Sequence, residues 1–338
     1  MKYLITGGSG YIGSRLTDLL VERDDNEVVN LDIRPPAVPR SRTRFIRMDI
    51  RDRGMQELLE RERPDALIHL AFVLNPMRDE QTMYDIDVNG TANVLAAASA
   101  AGVQQLLVAS STTAYGAFPD NPVPMSEDWP VRGLPGYEYA RDKTEIDRQC
   151  QLWAAQHADR VMTIVRPTIV FGPNVDNYIV RFWSTSPFFP LLDGNDPEWQ
   201  FVHEDDVVYA ISRLVSERRG GIFNLTADGT IKLSEAARIA GVKTRKMPLK
   251  LYRRIAKTAW RLRLPNVEAP PGQIEFLVHP WIASNEKLKS ELDWTPRYTS
   301  RETFEATMRA KGKVAGAGEE SSTLEPPVPV PPPPAPVA

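Results

Sequence analysis

The sequence predicts an α/β protein built on a doubly wound parallel sheet, with a smaller domain of mixed structure toward the C-terminus. Two observations lead to this prediction. Short runs rich in Val, Ile and Leu alternate with helical stretches through the first half of the chain, as parallel strands and their crossover helices do. The chain also opens with an apolar run, a glycine-rich turn and a helical pattern, MKYLITGGSGYIG, which is typical of the first unit of such sheets.

Each predicted strand is a short apolar run, and each predicted helix ends before a residue that stops helices. Strands are predicted over residues 2–6, 27–32, 43–48, 66–70, 105–110 and 162–166. Helices are predicted over 53–63, where Pro64 follows, and over 84–101, where Gly102 follows.

The pattern changes after residue 166. Residues 167–200 are rich in Pro, Asn, Asp and aromatic side chains and have weak periodicity, whereas 201–226 again predict a strand, a helix (205–217) and a strand. We therefore predict one domain from residues 1–166 together with 201–226.

The remaining segments, 167–200 and 227–312, are predicted to form the second domain. It mixes helices with basic loops, which contain Lys243, Arg245, Lys246, Arg253 and Arg254. Residues 313–338 are predicted to be a disordered tail, because their proline-rich composition favours polyproline II and cannot bury a core.

Composition excludes several classes of function. The net charge of −3 gives no basic excess for nucleic acid. No apolar run reaches the roughly 18 residues of a membrane span, so no membrane partner is expected. Cys150 is the single cysteine, which rules out an internal disulfide and fits a reducing compartment. No secretory signal precedes the first predicted strand, so we expect a cytoplasmic protein. No metal site is predicted.

The glycine-rich turn predicts a dinucleotide site. Gly7, Gly10 and Gly13 follow the spacing GxxGxxG between a strand and a helix, where free helical N–H groups and the helix dipole favour a pyrophosphate. Asp32 ends the second predicted strand, where a carboxylate bonds the ribose 2′-OH of NAD and repels the 2′-phosphate of NADP. Arg34, Arg40 and Arg42 lie nearby and are candidates to neutralise that phosphate, so NADP stays an alternative cofactor.

Two further motifs contain candidate catalytic side chains. Tyr139 and Lys143 lie four residues apart in YARDK, on one face of a helix, where an ammonium lowers the pKa of a phenol toward neutrality. Ser111 follows the predicted strand 105–110, at the edge where parallel sheets bind ligands. By themselves these residues fit equally well a surface Tyr–Lys contact and a capping loop.

Together these motifs resemble the extended short-chain dehydrogenase/reductases, that is, the NAD-dependent epimerase/dehydratase family, of the UDP-glucose 4-epimerase-like type. The resemblance covers residues 1 to about 310. Its segments are TGGSGYIG (6–13), Asp32, MDIRD (48–52), HLAF (69–72), DVNGTANVL (87–95), SSTTAYG (110–116), YARDK (139–143), VRPTIVFGP (165–173) and FVHEDDV (201–207). It implies a Rossmann-type NAD-binding domain and a substrate-binding second domain.

The resemblance also implies roles for single residues. The catalytic set is Ser111, Tyr139 and Lys143. The NAD-binding residues are Gly7, Gly10, Tyr11, Ile12, Gly13, Asp32, Asp49, Ile50, Leu70, Ala71, Tyr139, Lys143, Pro167 and Ile169. Asn89 is expected near the site. His203 and Asp206 are expected to be structural, with His203 as a catalytic base the less favoured interpretation.

Two departures from the family pattern narrow the reaction. Dehydratases have an Asp-Glu pair where this chain has Thr112 and Thr113, and hydroxyls cannot replace carboxylates in proton transfer near neutral pH. Dehydration is therefore disfavoured.

The second departure concerns the diphosphate of a nucleotide-sugar. Many UDP-sugar enzymes have Arg-Asp where this chain has Trp199-Gln200, and an Asn where it has Thr168. A diphosphate would need other cations, for which Lys246, Arg253 and Arg254 are candidates. Trp199 either stacks on a substrate ring or packs between domains.

The leading hypothesis is an NAD-dependent epimerase that acts on a nucleotide-sugar through a transient ketone. The alternatives are a net NAD(P)-dependent alcohol/ketone oxidoreductase on a non-nucleotide substrate and a non-catalytic dinucleotide-binding protein. The resemblance further implies a homodimer formed through the helices over 84–101 and 137–157.

Overall fold

The computed structural model describes residues 1–264 and 267–313. Most of the predicted proline-rich tail, residues 314–338, lies outside the described residues. The strands are β1 (Lys2–Thr6), β2 (Glu27–Asp32), β3 (Thr43–Arg47), β4 (Ala66–His69), β5 (Gln105–Ala109), β6 (Val161–Pro167), β7 (Ile169–Phe171), β8 (Phe188–Leu192), β9 (Glu198–Trp199), β10 (Phe201–His203), β11 (Gly221–Leu225), β12 (Ile231–Lys232) and β13 (Lys243–Met247).

Seven of these strands form one parallel sheet in the order β11-β6-β5-β4-β1-β2-β3. The chain runs outward to β3 on one side of β1 and outward from β4 on the other, so the strand order reverses between β1 and β4. Ligands of such sheets bind at this reversal, beyond the carboxyl ends of the strands. The predicted α/β doubly wound sheet is confirmed, and each predicted strand lies within one residue of the observed bounds.

Helices cover both faces of the sheet. They are α1 (Tyr11–Val21), α2 (Met55–Glu62), α3 (Glu80–Tyr84), α4 (Gly90–Ala100), α5 (Glu138–Gln156), α6 (Tyr178–Thr185), α7 (Glu204–Ser216), α8 (Leu233–Ile239), α9 (Leu249–Arg261), α10 (Glu286–Leu292) and α11 (Ser300–Ala310). In β1, Ile5 packs on the face with α1 and α7, whereas Leu4 packs on the face with α2, α4 and α5, as the period of two in a strand requires. The single cysteine, Cys150 of α5, is buried in this second layer.

The predicted helix over 84–101 is wrong in one detail. It begins as α3, passes through a π-helical turn at Asp85–Asn89, and continues as α4. The wider turn changes which side chains face inward, and π-helical turns of this kind are frequent at functional sites.

The C-terminal segments form a third packed region beyond the sheet. Three strand pairs, β7 with β10, β8 with β13 and β9 with β12, surround a core rich in aromatic side chains. Trp183 stacks on Phe189 at 4.6 Å between ring centroids and meets Trp199 edge-on at 6.1 Å. The predicted basic loops are wrong here, because their cations lie on β13 and on α9. Among the described residues, no helix has the length and apolar character needed to span a bilayer.

Candidate active site

The glycine loop leaves the start of α1 open to an anion. Gly10 is the N-cap of α1 and supplies no side-chain hydrogen bond, so the first N–H groups of the helix remain available. Gly7 has φ +72°, and a Cβ placed on it would come within 2.7 Å of the backbone nitrogen of Ala71. A Cβ on Gly13 would lie 2.2 Å from the carbonyl oxygen of Gly7. The loop therefore packs tightly on the chain at Leu70 and Ala71, and these residues fit a bound dinucleotide.

Asp32 lies beside this loop. Its Oδ2 accepts a hydrogen bond from the backbone N–H of Ser9 at 3.1 Å, and its Oδ1 accepts one from the N–H of Arg34 at 3.1 Å. Arg40 and Arg42 instead pair with acidic side chains of α1 and of the turn after it. Two of the three arginines that could neutralise a 2′-phosphate are thus engaged elsewhere, which favours NAD over NADP.

The two residues expected beside the adenine follow β3. Ile50 is buried and packs so closely on Gly90 that a Cβ there would meet its Cδ1 at 2.6 Å. Asp49 pairs with Arg51 at 2.7 Å, and hydrogen bonds from this arginine lower the pKa of the Asp49 carboxyl.

Six of the predicted site residues meet in one cleft at the carboxyl edge of the sheet. They are Tyr11, Ile12, Ser111, Tyr139, Pro167 and Ile169. The rest of its wall is mainly apolar, and its aromatic members are Tyr137, Tyr178, Trp199, Phe276 and Trp281. The Tyr11 hydroxyl donates to the buried carboxylate of Glu204, which fixes the ring in the cleft wall.

Ser111 and Tyr139 face the cleft together. Ser111 caps the short helical turn after β5, where its Oγ accepts from the N–H of Thr113 at 3.2 Å. Burial raises the pKa of the Tyr139 phenol, with Tyr178 and Asp87 adding to the shift and a hydrogen bond with Ser111 opposing it. The predicted lowering of this pKa is wrong, because burial outweighs the hydrogen bond with Ser111.

Lys143 turns away from the phenol that it was expected to activate. Its Nζ donates to the carbonyl oxygen of Ala109 at 2.8 Å and lies 3.1 Å from the ring centroid of Phe72. The distance from Nζ to the ring centroid of Tyr139 is 5.9 Å. Burial lowers the pKa of the Lys143 ammonium, and the negative charge of Asp87 opposes that shift.

Two carboxylates accompany this ammonium, and we name Asp87, Asp142 and Lys143 the lysine cluster. Asp87 lies in the π-helical turn, and its Oδ1 accepts from the N–H of Val73 at 2.8 Å. Among the described residues, the buried Oδ2 atoms of Asp87 and Asp142 have no hydrogen-bond partner. Burial raises the pKa of Asp142 to about 7, and Asp87 adds to the shift. Burial likewise raises the pKa of Asp87, against Lys143.

Sequence reasoning missed Asp87 and chose Asn89 instead. Asn89 is exposed, donates to Asp85 at 2.9 Å and is not among the residues that line the cleft. Asp87 opens the motif DVNGTANVL, which was the available signal, but the π-helical turn decides which of the two side chains faces Lys143.

A second buried cluster lies one turn further along α5. Arg166 of β6 donates from Nε and Nη2 to the two oxygens of Asp147, both at 2.8 Å. Its Nη1 donates to the Tyr115 hydroxyl at 2.7 Å and to the Glu127 carbonyl oxygen at 3.0 Å, and Tyr115 in turn donates to Asn224 at 2.8 Å. We name these five residues the arginine cluster, which ties α5, β6 and β11 together beneath the cleft.

The structural roles predicted for His203 and Asp206 agree with their contacts. His203 caps α7, with Nδ1 accepting from the N–H of Asp205 at 3.2 Å, and its ring stacks on Tyr298 at 4.0 Å. Asp206 accepts from the backbone N–H groups of Arg297 and Tyr298 at 3.1 to 3.3 Å. Neither side chain lines the cleft.

None of the three residues at the diphosphate positions, Trp199, Gln200 and Thr168, is charged. Trp199 is buried and donates from Nε1 to the Phe276 carbonyl oxygen at 2.9 Å, while its ring forms part of the cleft wall. The Gln200 amide bonds the backbone of Ala283 in both directions, at 3.1 and 2.8 Å. Thr168 lines the cleft.

The cations proposed as replacements do not reach the cleft. Lys246, Arg253 and Arg254 are absent from its described lining, and Arg253 pairs with Glu275 at 2.6 Å on the surface. Of the described residues that line the cleft, none has a carboxylate, an ammonium or a guanidinium group.

A dinucleotide loop joined to a cleft that presents a serine and a tyrosine, with a lysine buried behind them, defines a short-chain dehydrogenase/reductase of the extended type. Residues 3–226 match the NAD dependent epimerase/dehydratase family, and the chain belongs to it. The predicted family, enzyme class and NAD cofactor are confirmed at this level.

Individual relatives support the same assignment. The chain is 31% identical over 244 residues to a UDP-glucose 4-epimerase of Mycolicibacterium smegmatis, covering 65% of this chain and 75% of that one. It is 26% identical over 317 residues to an uncharacterized protein of Mycobacterium tuberculosis, covering 91% and 84%. Its fold matches UDP-glucose 4-epimerase of Thermus thermophilus in complex with NAD, with a TM-score of 0.72 and 23% identity over 93% of this chain and all of that one.

Proposed function

We propose that this protein is a net oxidoreductase that transfers hydride between NAD and a secondary alcohol or ketone on an uncharged, largely apolar substrate. The observation that supports this substrate class is the cleft wall, which is mainly apolar and lacks charged side chains among its described residues. A diphosphate would be placed there without a cation, and burying an unpaired charge is costly. An apolar substrate instead leaves water when it enters the cleft and packs on its aromatic side chains.

NAD, when bound, accepts or returns the hydride at the substrate carbon. In the proposed site, Ser111 orients the substrate oxygen by a hydrogen bond. Tyr139 exchanges a proton with that oxygen. Since burial raises the pKa of Tyr139, the phenol holds its proton at neutral pH, and this is the proton that the substrate oxygen receives when a ketone is reduced. Lys143 holds the carboxyl end of β5 through Ala109.

The proposed NAD-binding residues keep the predicted assignment. The glycine loop with Tyr11 and Ile12 holds the pyrophosphate. Asp32, Asp49 and Ile50 lie toward the adenosine, Leu70 and Ala71 line the cofactor groove, and Pro167 and Ile169 lie beside the nicotinamide carboxamide. Dehydration stays disfavoured, because Thr113, which lines the cleft, has a hydroxyl where a dehydratase needs a carboxylate.

Nucleotide-sugar epimerisation is the second candidate, and the UDP-glucose 4-epimerase named among the relatives favours it. It would proceed through a transient ketone with the same Ser111, Tyr139 and Lys143, and it would produce no net NADH. It needs cations at the diphosphate that are not among the described residues of the cleft wall.

One set of assays separates the two candidates. Native mass spectrometry first identifies the bound cofactor. The protein is then tested for NADH oxidation with a panel of aromatic and alicyclic ketones, and for conversion of UDP-glucose to UDP-galactose. Ketone-dependent NADH oxidation that is lost in Tyr139→Phe and kept in Tyr84→Phe, on the exposed end of α3, would support the oxidoreductase. Conversion of UDP-glucose to UDP-galactose without NADH turnover would contradict the oxidoreductase and support the epimerase.

Three further predictions accompany this function, and they concern the domain division, the oligomeric state and the location of the protein. We propose that residues 1–166 with 201–226 form the NAD-binding domain and that 167–200 with 227–312 form the substrate-binding domain. We propose a homodimer through 84–101 and 137–157, where Tyr84 and Leu152 leave apolar surface exposed. Size-exclusion chromatography with light scattering tests the dimer. A cytoplasmic location stays a prediction, which fractionation of cells would test.

A further inference from the structure

Positive charge is concentrated in one short segment of an otherwise acidic chain. Residues 243–263 contain nine basic side chains and no acidic one, whereas the whole chain has a net charge of −3. The nine are Lys243, Arg245, Lys246, Lys250, Arg253, Arg254, Lys257, Arg261 and Arg263. Eight of these cations lie on two consecutive elements, β13 and α9, and Arg263 follows α9.

Helix α9 separates its apolar and basic side chains onto two faces. At 100° per residue, Lys250, Arg253, Arg254, Lys257 and Arg261 fall within one arc of about 100°, and the apolar residues occupy the remainder. None of the residues of α9 is fully buried. Leu251, Ile255 and Leu262, spaced by four and seven residues, expose 48%, 49% and 59% of their surface.

Only part of the apolar face is used inside the protein. Tyr252 and Ala256 line a second apolar chamber. This chamber adjoins the active-site cleft, because Tyr178, Ile179 and Trp199 line both. The outer part of the apolar face, with Leu251 and Ile255, packs on nothing within the described residues that would bury it.

The cations beside this face are largely unneutralised. Among the described residues, Arg253 with Glu275 is the one ion pair made by a cation of α9. Arg78 adds a further positive charge, since its guanidinium lies 3.8 Å from the ring centroid of Trp260. A helix with exposed leucine and isoleucine flanked by Lys and Arg matches an anionic lipid surface, where the apolar side chains enter the acyl boundary and the cations meet phosphate groups. Nucleic acid would meet the cations but leave the aliphatic side chains in water.

We propose that α9 docks this protein on the surface of an anionic phospholipid bilayer. The expectation that no membrane is involved rested on the lack of a spanning segment, and peripheral docking needs none. Docking stands without the proposed function. One consequence rests on that function: the chamber lined by Tyr252 and Ala256 would lie against the lipid, so an apolar substrate could reach the cleft without crossing water.

The test is sedimentation of the full-length protein with vesicles of phosphatidylcholine alone and with vesicles containing about 30% phosphatidylglycerol. We expect at least about tenfold stronger binding to the anionic vesicles, weakening as ionic strength rises. The pairs Leu251→Ser with Ile255→Ser and Arg254→Gln with Lys257→Gln should each lower binding about tenfold. The controls Val38→Ser in the exposed loop between β2 and β3 and Arg53→Gln before α2 should bind as the parent does, and thermal unfolding confirms that all variants fold.

Three results would overturn docking. They are equal binding to neutral and anionic vesicles, binding that survives both α9 pairs, and a concentration-dependent oligomer that the Leu251 and Ile255 substitutions dissociate. The last result would assign the face to a second copy of the chain. Ketone reduction is assayed without vesicles, so a failure of the proposed function is distinguishable from a failure of docking.

Discussion

The arginine cluster and the lysine cluster lie one turn apart on α5, since Asp147 follows Lys143 by four residues, yet they differ in how completely their polar atoms are bonded. Arg166 and Asp147 share two hydrogen bonds of 2.8 Å, and the remaining Nη of Arg166 finds two further acceptors. Asp87 and Asp142 each keep a buried oxygen without a partner among the described residues. The arginine cluster, whose hydrogen bonds are complete, stabilises the fold. The lysine cluster keeps buried ionisable groups with unpaired oxygens, which lowers the free energy of unfolding and is typical of a functional site.

Breaking the arginine cluster should have the largest effect. Asp147→Ala leaves the buried guanidinium of Arg166 without its carboxylate and is expected to lower the free energy of unfolding by about 3–5 kcal/mol. Urea denaturation followed by circular dichroism measures it. Asp159→Ala, on the exposed turn after α5, should change stability by less than about 0.5 kcal/mol. Similar losses in both variants would show that the saturated hydrogen bonds do not stabilise the fold.

The lysine cluster should respond in the opposite way. Lys143→Met is expected to lower kcat in the ketone assay at least about 100-fold, because β5 and the proton-transfer site lose their anchor. The free energy of unfolding should stay within about 1 kcal/mol of the parent, since the lost bond to Ala109 is offset by removal of a buried ammonium. Arg141→Met, on the exposed face of α5, serves as the control. If Lys143→Met lost stability but kept its kcat, Lys143 would serve the fold rather than proton transfer.

The unpartnered carboxyl of Asp142 gives a pH-dependent prediction. Its pKa is raised to about 7 by burial, so the folded protein binds a proton that the unfolded chain releases near pH 4. The stability that this protonation supports is complete below about pH 4 and declines as the pH rises to about 7. Asp142→Asn, which cannot ionise, should therefore raise the free energy of unfolding by roughly 2 kcal/mol at pH 8 and by less at pH 5.

Urea denaturation at the two pH values measures this difference, with Asp159→Asn as the surface control. A gain that does not depend on pH would mean that the carboxyl of Asp142 is already ionised in the folded protein. Asp142 would then no longer distinguish the lysine cluster from the arginine cluster.

The smallest expected effect refines the account of the arginine cluster. Tyr115→Phe removes a hydroxyl that accepts from Arg166 and donates to Asn224, while the pair with Asp147 remains. We expect a loss of about 1 kcal/mol in the free energy of unfolding. Thermal denaturation against Tyr84→Phe measures it. A loss as large as that of Asp147→Ala would mean that the hydroxyl, rather than the ion pair, holds the cluster together.

The parts of this molecule that depend on local chemistry are predictable from the sequence. The strands of the main sheet are short apolar runs, and the glycine loop is set by a turn and a helix start that neighbouring residues specify. The small strands of the C-terminal region are different, because pairs such as β8 with β13 join segments more than fifty residues apart. In addition, β8 is interrupted by Pro190 and β13 has a mostly charged and exposed sequence.

The catalytic side chains show the same division. Tyr139 and Ser111 are recognisable from their motifs, and both face the cleft. The partners of Lys143 are not, because the carbonyl of Ala109 lies at the end of β5 and the ring of Phe72 lies in the segment after β4, both far from Lys143 in the sequence. Asp87 depends on one π-helical turn, whose extra residue per turn has no counterpart in a hydrophobic pattern that assumes 3.6 residues per turn.

The single thiol on α5 makes that helix observable in solution. Cys150 is buried on the same element as both charged clusters, and burial raises the pKa of its thiol. Only the thiolate reacts with disulfide or maleimide reagents, so labelling requires α5 to separate from the sheet. The chain has no second cysteine, so the labelling rate directly reports the opening of this helix, without an engineered probe.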